Sequence, residues 1–430
     1  MSVETITLGC RLNFAESEMM RGLAGTDDLT IVNSCAVTHE AVRQTRQAIR
    51  RARRERPEAR IVVTGCAAQL EPAMFAGMPE VDRVVGNAEK YLASSFQFAP
   101  RNPFVPSEVE GRSSSAEVVS TSLHTNGLGG TKVRVGDIMT SPPPPVAADF
   151  LARVRSFVAV QTGCDHRCTF CTIWAARGPS QSLPYEAIRA AVERELAAGA
   201  QEIVLTGVDI TSYQPGLGLL CQRLLADLPA LTRLRLSSLD SIEIDDTLME
   251  LVAGEPRLLP HFHLSLQAGD DLTLKRMKRR HSRAQAVATV GRLKAARGDV
   301  TIGADLIAGF PTESEESAEN TRRLIADCDI VTAHVFPFSP RPGTPAARMP
   351  QVAHNVVKQR AAALRDVAAR QRQAWLAGHL GTRQRVLIEN GHKGHSDGFA
   401  PVRIAGAPRG ACGPALITAV DGDSLIGTFE

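Results

Sequence analysis

The chain has no apolar run approaching about eighteen residues, which excludes a membrane-spanning helix and any membrane partner of that kind. Its first residues, Met1-Ser2-Val3-Glu4, lack the basic and apolar segments of an export signal. It has little charge excess: the formal net charge is +3, too small to imply nucleic acid by itself. With neither leader nor span, the expected compartment is the reducing cytoplasm. There the nine cysteines are expected to hold metal rather than to pair as disulfides. What is present is size and apolar content. With 430 residues, 43% of them apolar, two or three domains are expected, as a monomer.

The most informative stretch is Gly163-Cys164-Asp165-His166-Arg167-Cys168-Thr169-Phe170-Cys171, which follows the apolar run Phe157–Val160. Three thiolates this close can hold three irons of a four-iron cluster, which is normally closed by four cysteines. The fourth iron would then stay open for a cofactor. The competing reading is a zinc site or a set of buried thiols. Zinc sites usually reach four ligands, and no fourth cysteine or well-spaced histidine follows here. His166 lies inside the loop, where it would crowd the metal.

Upstream, Thr5–Leu8, Leu29–Val32 and Ile61–Thr64 read as strands, with helices over Ala15–Leu23 and Thr38–Glu55 between them. The pattern is that of a parallel α/β sheet. Cys10, Cys35 and Cys66 follow the three strands, at the carboxyl edge where such sheets bind ligands. Core packing would scatter cysteines, so the recurrence points to a second open cluster. The helix after Cys35 carries Arg43, Arg46, Arg50 and Arg54 at helical spacing. This is either an ordinary solvated face or a track for phosphates.

Residues 96–147 read as a linker, with a low-complexity insertion over Asn102–Gly130 expected to be mobile and to carry no catalytic residue. From Arg155 the strand–helix alternation resumes. Candidate strands are Phe157–Val160, Glu202–Leu205, Arg233–Leu236, His261–Leu266, Thr301–Ile307 and Val331–Phe336, with helices such as Tyr185–Ala198 and Ser314–Asp327. Six units fall short of an eightfold barrel, so a partial (β/α)6 barrel is expected, with its chemistry at the strand carboxyl ends. Thr206, Gly207, Ser238, Gln267, Gly309 and Pro311 stand at those ends. They either line a cofactor site or are plain turn residues. Lys275 and Arg279 belong to a second basic cluster, and a helix is expected over Val352–Leu376. The last strands, such as Gln384–Ile388 and Ala415–Val420, read as a small antiparallel barrel. Cys221, Cys328 and Cys412 are expected to be structural thiols.

Cys164-x3-Cys168-x2-Cys171, with Phe170 in the aromatic slot before the last cysteine, resembles the signature of the radical S-adenosylmethionine (SAM) superfamily. In order, the chain resembles a radical-SAM methylthiotransferase. The parts are an N-terminal domain (1–95), a radical-SAM core (148–378) and a TRAM-like RNA-binding barrel (379–430). Asn33–Thr38, Ala176-Arg177-Gly178 and His263–Gly269 are further family-like stretches. Leu8-Gly9-Cys10-Arg11-Leu12-Asn13 and Glu16-Ser17-Glu18 look most like the branch acting on N6-threonylcarbamoyladenosine. Gln181 and Asp240 depart from the family pattern, where an arginine and a glutamate are usual.

The resemblance implies two [4Fe-4S] clusters, on Cys10/Cys35/Cys66 and Cys164/Cys168/Cys171, with SAM chelated at the second and contacted by residues such as Phe170. It implies methylthiolation at C2 of a modified adenosine just 3′ of a tRNA anticodon. The anticodon loop would be the partner, held by Arg43, Arg46, Arg50, Arg54, Lys275 and Arg279. The sulfur donor and reductant are left unidentified. The competing functions are methylthiolation of isopentenyladenosine or of a ribosomal protein, and a non-catalytic iron–sulfur RNA-binding or redox protein.

Overall fold

The computed structural model describes residues 3–25, 28–98, 131–147 and 153–430. The Asn102–Gly130 insertion therefore lies outside the described residues. Strands β1 (Val3–Thr7), β2 (Leu29–Ser34), β3 (Arg60–Gly65), β4 (Arg83–Val85) and β5 (Val133–Arg134) form one parallel sheet in chain order. Helices α1 (Arg11–Leu23), α2 (His39–Glu55), α3 (Cys66–Leu70) and α4 (Pro72–Ala76) connect them. Every residue of β2 is buried, as expected of a parallel strand covered on both faces. Thr38 caps α2 through the Ala41 amide at 3.1 Å, placing the helix start four residues beyond Cys35.

Two expectations are corrected here. Helix α1 begins at Arg11 rather than Ala15, because the chain turns directly after Cys10 and the Phe14 amide bonds the Cys10 carbonyl at 3.3 Å. The second half of the 96–147 linker is structured. Val133–Arg134 adds the fifth strand, the Gly136 carbonyl accepts from Gln69 at 3.0 Å, and Ala147 is buried in the barrel core. Two residues are too short a run to register as a strand in the sequence.

The second unit opens with β6 (Arg155–Ala159) and a two-strand hairpin, β7 (Gln161–Thr162) and β8 (Gln181–Ser182), which encloses α5 (Ile173–Arg177). There follow α6 (Tyr185–Ala197), β9 (Glu202–Thr206), α7 (Leu217–Asp227), β10 (Leu234–Leu236), α8 (Asp246–Gly254) and β11 (His261–Gln267). Then come α9 (Asp271–Met277), α10 (Arg283–Ala296), β12 (Thr301–Ala308), α11 (Glu315–Asp327), β13 (Ile330–Pro337) and α12 (His354–Ala377). The six strands run β6-β9-β10 and β11-β12-β13, all parallel, joined by the Leu239–Leu264 bridge. This is the expected partial barrel. Its edges, β6 and β13, do not pair, and α1 packs against β6 with Leu12 and Ala15 in the barrel core. No described helix is long and apolar enough to cross a membrane.

The last strands, β14 (Arg383–Asn390), β15 (Lys393–Ser396), β16 (Pro401–Arg403), β17 (Cys412–Asp421) and β18 (Ser424–Phe429), close into a five-stranded barrel. It is not wholly antiparallel as expected, since β16 and β18 pair in parallel. It docks on the amino ends of the large barrel's strands, the end opposite the cysteine loop. Glu202 is the hub of that seam. Its fully buried carboxylate takes Arg233 at 2.9 Å, Arg235 at 2.7 Å and Arg155 at 2.9 Å. Arg155 continues to Glu389 at 2.6 Å, and Arg233 pairs with Asp397, both on the small barrel. Phe399 stacks between His261 at 4.9 Å and His395 at 4.5 Å. Burial alone would raise the Glu202 carboxyl, but Arg235 and Arg155 override it and hold it well below the usual range. Glu202→Gln leaves three buried guanidinium groups without their shared anion. It is expected to destabilise the protein by about 3–5 kcal/mol, measured as a lowered urea midpoint.

Candidate active site

The cysteine loop is held rigidly across the barrel mouth. Gly163 has φ +73°, and a Cβ there would lie 1.8 Å from the Pro179 carbonyl oxygen, so only glycine fits. The Cys164 amide bonds the Gly178 carbonyl at 3.1 Å. Thr169 is tied to the Met277 carbonyl at 3.1 Å and to the Arg276 carbonyl at 2.8 Å. His166 keeps a ring nitrogen within 4.8 Å of the Cys164 sulfur. It turns to Asp209 at 3.1 Å, with Asp240 and Glu243 at 3.7 Å. A polar cleft of about 400 Å³ opens there, lined by Asp165, His166, Ser180, Asp209, Glu243 and Arg280 among others.

The upstream trio is equally constrained. Cys10, Cys35 and Cys66 follow β1, β2 and β3, at the carboxyl edge of the sheet. Asn13 binds their loops together, donating to the Leu8 carbonyl at 2.7 Å and the Ser34 carbonyl at 3.2 Å. Ser34 accepts from the Ala68 amide at 3.1 Å. Gly65 has φ +91°, and a Cβ there would meet the Asn33 side-chain oxygen at 2.4 Å. Cys35 lies in the charge field of Cys66 and Cys10, and Cys10 in that of Cys66.

The two trios meet. Cys171 lies in the field of Cys66 as well as of Cys168 and Cys164. Arg177, five-residue α5's last member, crosses the seam and donates to Cys66 Sγ at 3.2 Å. The same guanidinium grips Glu16 through Nη1 at 2.7 Å and Nη2 at 2.9 Å, and Asn13 Oδ1 at 2.6 Å. Glu16 also takes Lys90 at 2.7 Å and the Tyr91 hydroxyl at 2.8 Å. Asn87 donates to the Ala176 carbonyl at 2.7 Å. A second arginine, Arg279, lies 3.6 Å from Cys168 Sγ and pairs with Asp240 at 2.9 Å. Each trio therefore has one guanidinium against one of its sulfurs, a natural complement to thiolate charge.

The donor set fits a cluster better than a single ion. Zinc–sulfur bonds of about 2.3 Å put ligand sulfurs about 3.8 Å apart. Among the described residues, the groups whose ligand atoms all lie within 4.8 Å are Cys164–His166–Asp209, His166–Asp240–Glu243 and His263–Asp305–His334; neither cysteine trio is one. In each trio the three sulfurs therefore do not all lie within 4.8 Å of one another. As free thiols, Cys35, Cys164 and Cys171 are pushed up to about 12, chiefly by burial.

The other expected site residues divide. Phe170 packs edge-on against Phe310 at 6.4 Å. Gln267 holds φ +66°, and Ser238 is exposed at its strand end. Thr206 and Pro311 are buried. The space at Gly309 is filled by Val357 of α12, 2.7 Å from where a Cβ would stand, and that at Gly207 by Gln161. At both glycines the direction a side chain would take is filled by the protein itself. Arg43, Arg46, Arg50 and Arg54 are exposed on α2, as is Lys275 on α9. Arg43 is paired locally with Glu40, and Arg50 with Glu80. Arg279 is corrected: its side chain is 6% exposed and committed to Asp240, the Ser265 carbonyl and Cys168, so no phosphate reaches it. Cys221 and Cys328 are buried among core side chains, while Cys412 is exposed on β17 and is not a core thiol. The motif reading quoted Glu16 only within a family-like stretch and missed Lys90 and Asn87; a lone polar residue carries no spacing signal.

Residues 158–325 match the radical SAM superfamily, and residues 2–86 match the Uncharacterized protein family UPF0004. The chain is 43% identical to the threonylcarbamoyladenosine tRNA methylthiotransferase MtaB of Rickettsia prowazekii (strain Madrid E), over 93% of this chain and 91% of that one. It is 32% identical to the MtaB of Aquifex aeolicus (strain VF5), over 90% of this chain and 93% of that one. A solved structure of the radical SAM methyltransferase TsrM from Kitasatospora setae aligns with a TM-score of 0.49 at 17% identity, over 75% of this chain and 65% of that one. The barrel with its three-cysteine loop thus defines a radical-SAM enzyme, a class that uses SAM and a [4Fe-4S] cluster. Within it, the chain belongs to the radical-SAM methylthiotransferase family.

Burial would raise the Glu16 carboxyl, but Arg177 and Lys90 override it and hold it at about 2, against an ordinary 4.5. A depressed carboxylate contributes stability that is present above its unfolded pKa and lost as pH falls through the folded one. Glu16→Gln is expected to cost about 3 kcal/mol above pH 4.5, with the deficit shrinking as pH falls towards 2. Urea midpoints of both proteins across that range check it.

Proposed function

We propose that this protein methylthiolates C2 of N6-threonylcarbamoyladenosine, next to the anticodon of tRNA. The observation that carries the reading is the meeting of two three-cysteine sites across one seam, with Arg177 of one bonded to Cys66 of the other. The names of the relatives support the substrate. We assign Cys164, Cys168 and Cys171 to the radical-SAM cluster, and Cys10, Cys35 and Cys66 to a second [4Fe-4S] cluster. When bound, these groups supply a carbon-centred radical and the sulfur to be inserted, chemistry that acid–base catalysis cannot reach at an unactivated C–H bond.

The chain's own residues position and shield. Arg177 and Arg279 offset thiolate charge at Cys66 and Cys168. The hydroxyl, carboxyl and imidazole groups of the cleft beside Cys164, including Asp209, Glu243 and His166, suit the polar parts of SAM. The adenosine would be unstacked from a single-stranded loop and held at the seam. Exposed Arg43, Arg46, Arg50, Arg54 and Lys275, with the small terminal barrel, would take the phosphates. We assign the N-terminal sulfur-insertion role to residues 1–95, the radical core to 148–378 and the RNA-binding role to 379–430.

Anaerobically reconstituted protein is expected to carry about eight irons per chain, falling to about four in Cys10→Ala, which should still form 5′-deoxyadenosine from SAM; Cys164→Ala should not. Mass spectrometry of tRNA nucleosides from a deletion strain is expected to show threonylcarbamoyladenosine without its methylthio derivative. An unchanged level of that derivative refutes the substrate.

A further inference from the structure

The gap between β6 and β13 contains a cation with no anion bound to it. Arg11 follows Cys10 directly and begins α1, the helix that packs on β6. Its guanidinium lies 5.9 Å from the Phe157 ring and 5.8 Å from the Phe399 ring. It makes no hydrogen bond or ion pair with any described residue. Arg155 and Arg235 share its field, and Glu202 is already shared among three other guanidinium groups. The other carboxylate in that field, Asp305 on β12, is also taken. His263 Nε2 donates to its Oδ1 at 3.0 Å and His334 Nδ1 at 3.1 Å. Donation through Nδ1 leaves His334 Nε2 an acceptor without a partner among the described residues, on an edge-strand side chain that is 57% exposed.

We propose that Arg11 and His334 form the subsite that reads the N6 substituent of the substrate. Arg11 takes its carboxylate, His334 Nε2 accepts its hydroxyl, and Asp305 with His263 fixes the His334 ring. The inference rests on the function proposed above. An unpaired guanidinium on aromatic faces is a carboxylate receptor in chemical type. N6 and C2 flank N1 on one edge of adenine and their outward bonds diverge, so a base presented with C2 to the sulfurs at Cys10 directs its N6 substituent into the gap beside them. Arg11 is one residue from Cys10. The His263–Asp305–His334 group also has the donor types of a divalent-metal site. However, the unpartnered cation Arg11 lies in the field of Asp305, where it repels a dication and attracts an anion.

The test uses the reconstituted enzyme and anticodon stem-loop RNAs carrying threonylcarbamoyladenosine or its methyl ester, which keeps the size and removes the charge. The wild type is expected to prefer the acid at least about 100-fold in kcat/KM, because a site built for a polar group rejects an analogue that leaves it unpaired. Arg11→Gln should lower kcat/KM on the acid by about 10- to 100-fold and bring the acid-to-ester ratio close to one, with Arg11→Lys retaining part of the preference. His334→Ala should erase the preference for the threonyl compound over its 2-aminobutyryl analogue, which lacks the hydroxyl. Equal losses on acid and ester in Arg11→Gln would show a structural role and overturn the subsite. So would zinc or manganese bound in the wild type and lost in His334→Ala with the ratio unchanged. A wild type active on both RNAs without discrimination overturns the subsite alone, whereas one inactive on both overturns the function beneath it.

Discussion

The buried ion pair between Arg177 and Glu16 is the constraint on which the seam depends. A guanidinium and a carboxylate removed from water repay their desolvation only when nearly every hydrogen-bonding position is satisfied. Here Arg177 spends its donors on both Glu16 oxygens, on Asn13 and on Cys66, and Glu16 also takes Lys90 and Tyr91. The charges do not cancel among the side chains alone. Two cations face one carboxylate, and one of them also bonds the Cys66 sulfur. The fold thus makes a cysteine sulfur part of the electrostatics of its own interface.

The large barrel has a dry electrostatic hub at each end, and they do different work. At the carboxyl ends, Arg177 and Arg279 are set against sulfurs. At the amino ends, Glu202 binds three arginines and through them the small terminal barrel. Helix α1 joins these regions, since Cys10 precedes it, Glu16 lies on it, and Arg11 reaches the rings of Phe157 and Phe399. A substitution in α1 is therefore felt in both halves of the molecule.

Much of this was legible in the sequence. Strand-end cysteines fall where a parallel sheet must put them, and the x3, x2 spacing of Cys164, Cys168 and Cys171 needs no tertiary information. What could not be read were pairings between distant single residues. Arg177 lay in a recognisable Ala-Arg-Gly stretch, yet its partners Glu16 and Asn13 are more than a hundred and fifty positions away. Arg279 looked like one basic residue in a basic cluster, and only its burial against Asp240 removes it from the RNA-facing set. Gly207 and Gly309 read as approach points for a ligand, and a glycine records only that something is close: on the Cβ side of both it is the protein itself.

The placement of the terminal barrel has a geometric consequence. It is fixed at the amino ends of strands such as β12, whose eight residues span roughly 26 Å at about 3.3 Å each. For the RNA proposed above, phosphates held at the terminal barrel and the atom to be modified would then stand at opposite ends of the large barrel. Such an enzyme would gauge length, favouring an RNA in which the separation between those phosphates and the unstacked base matches the height of the barrel. A free nucleoside, however well it fits the gap, would never register on that scale.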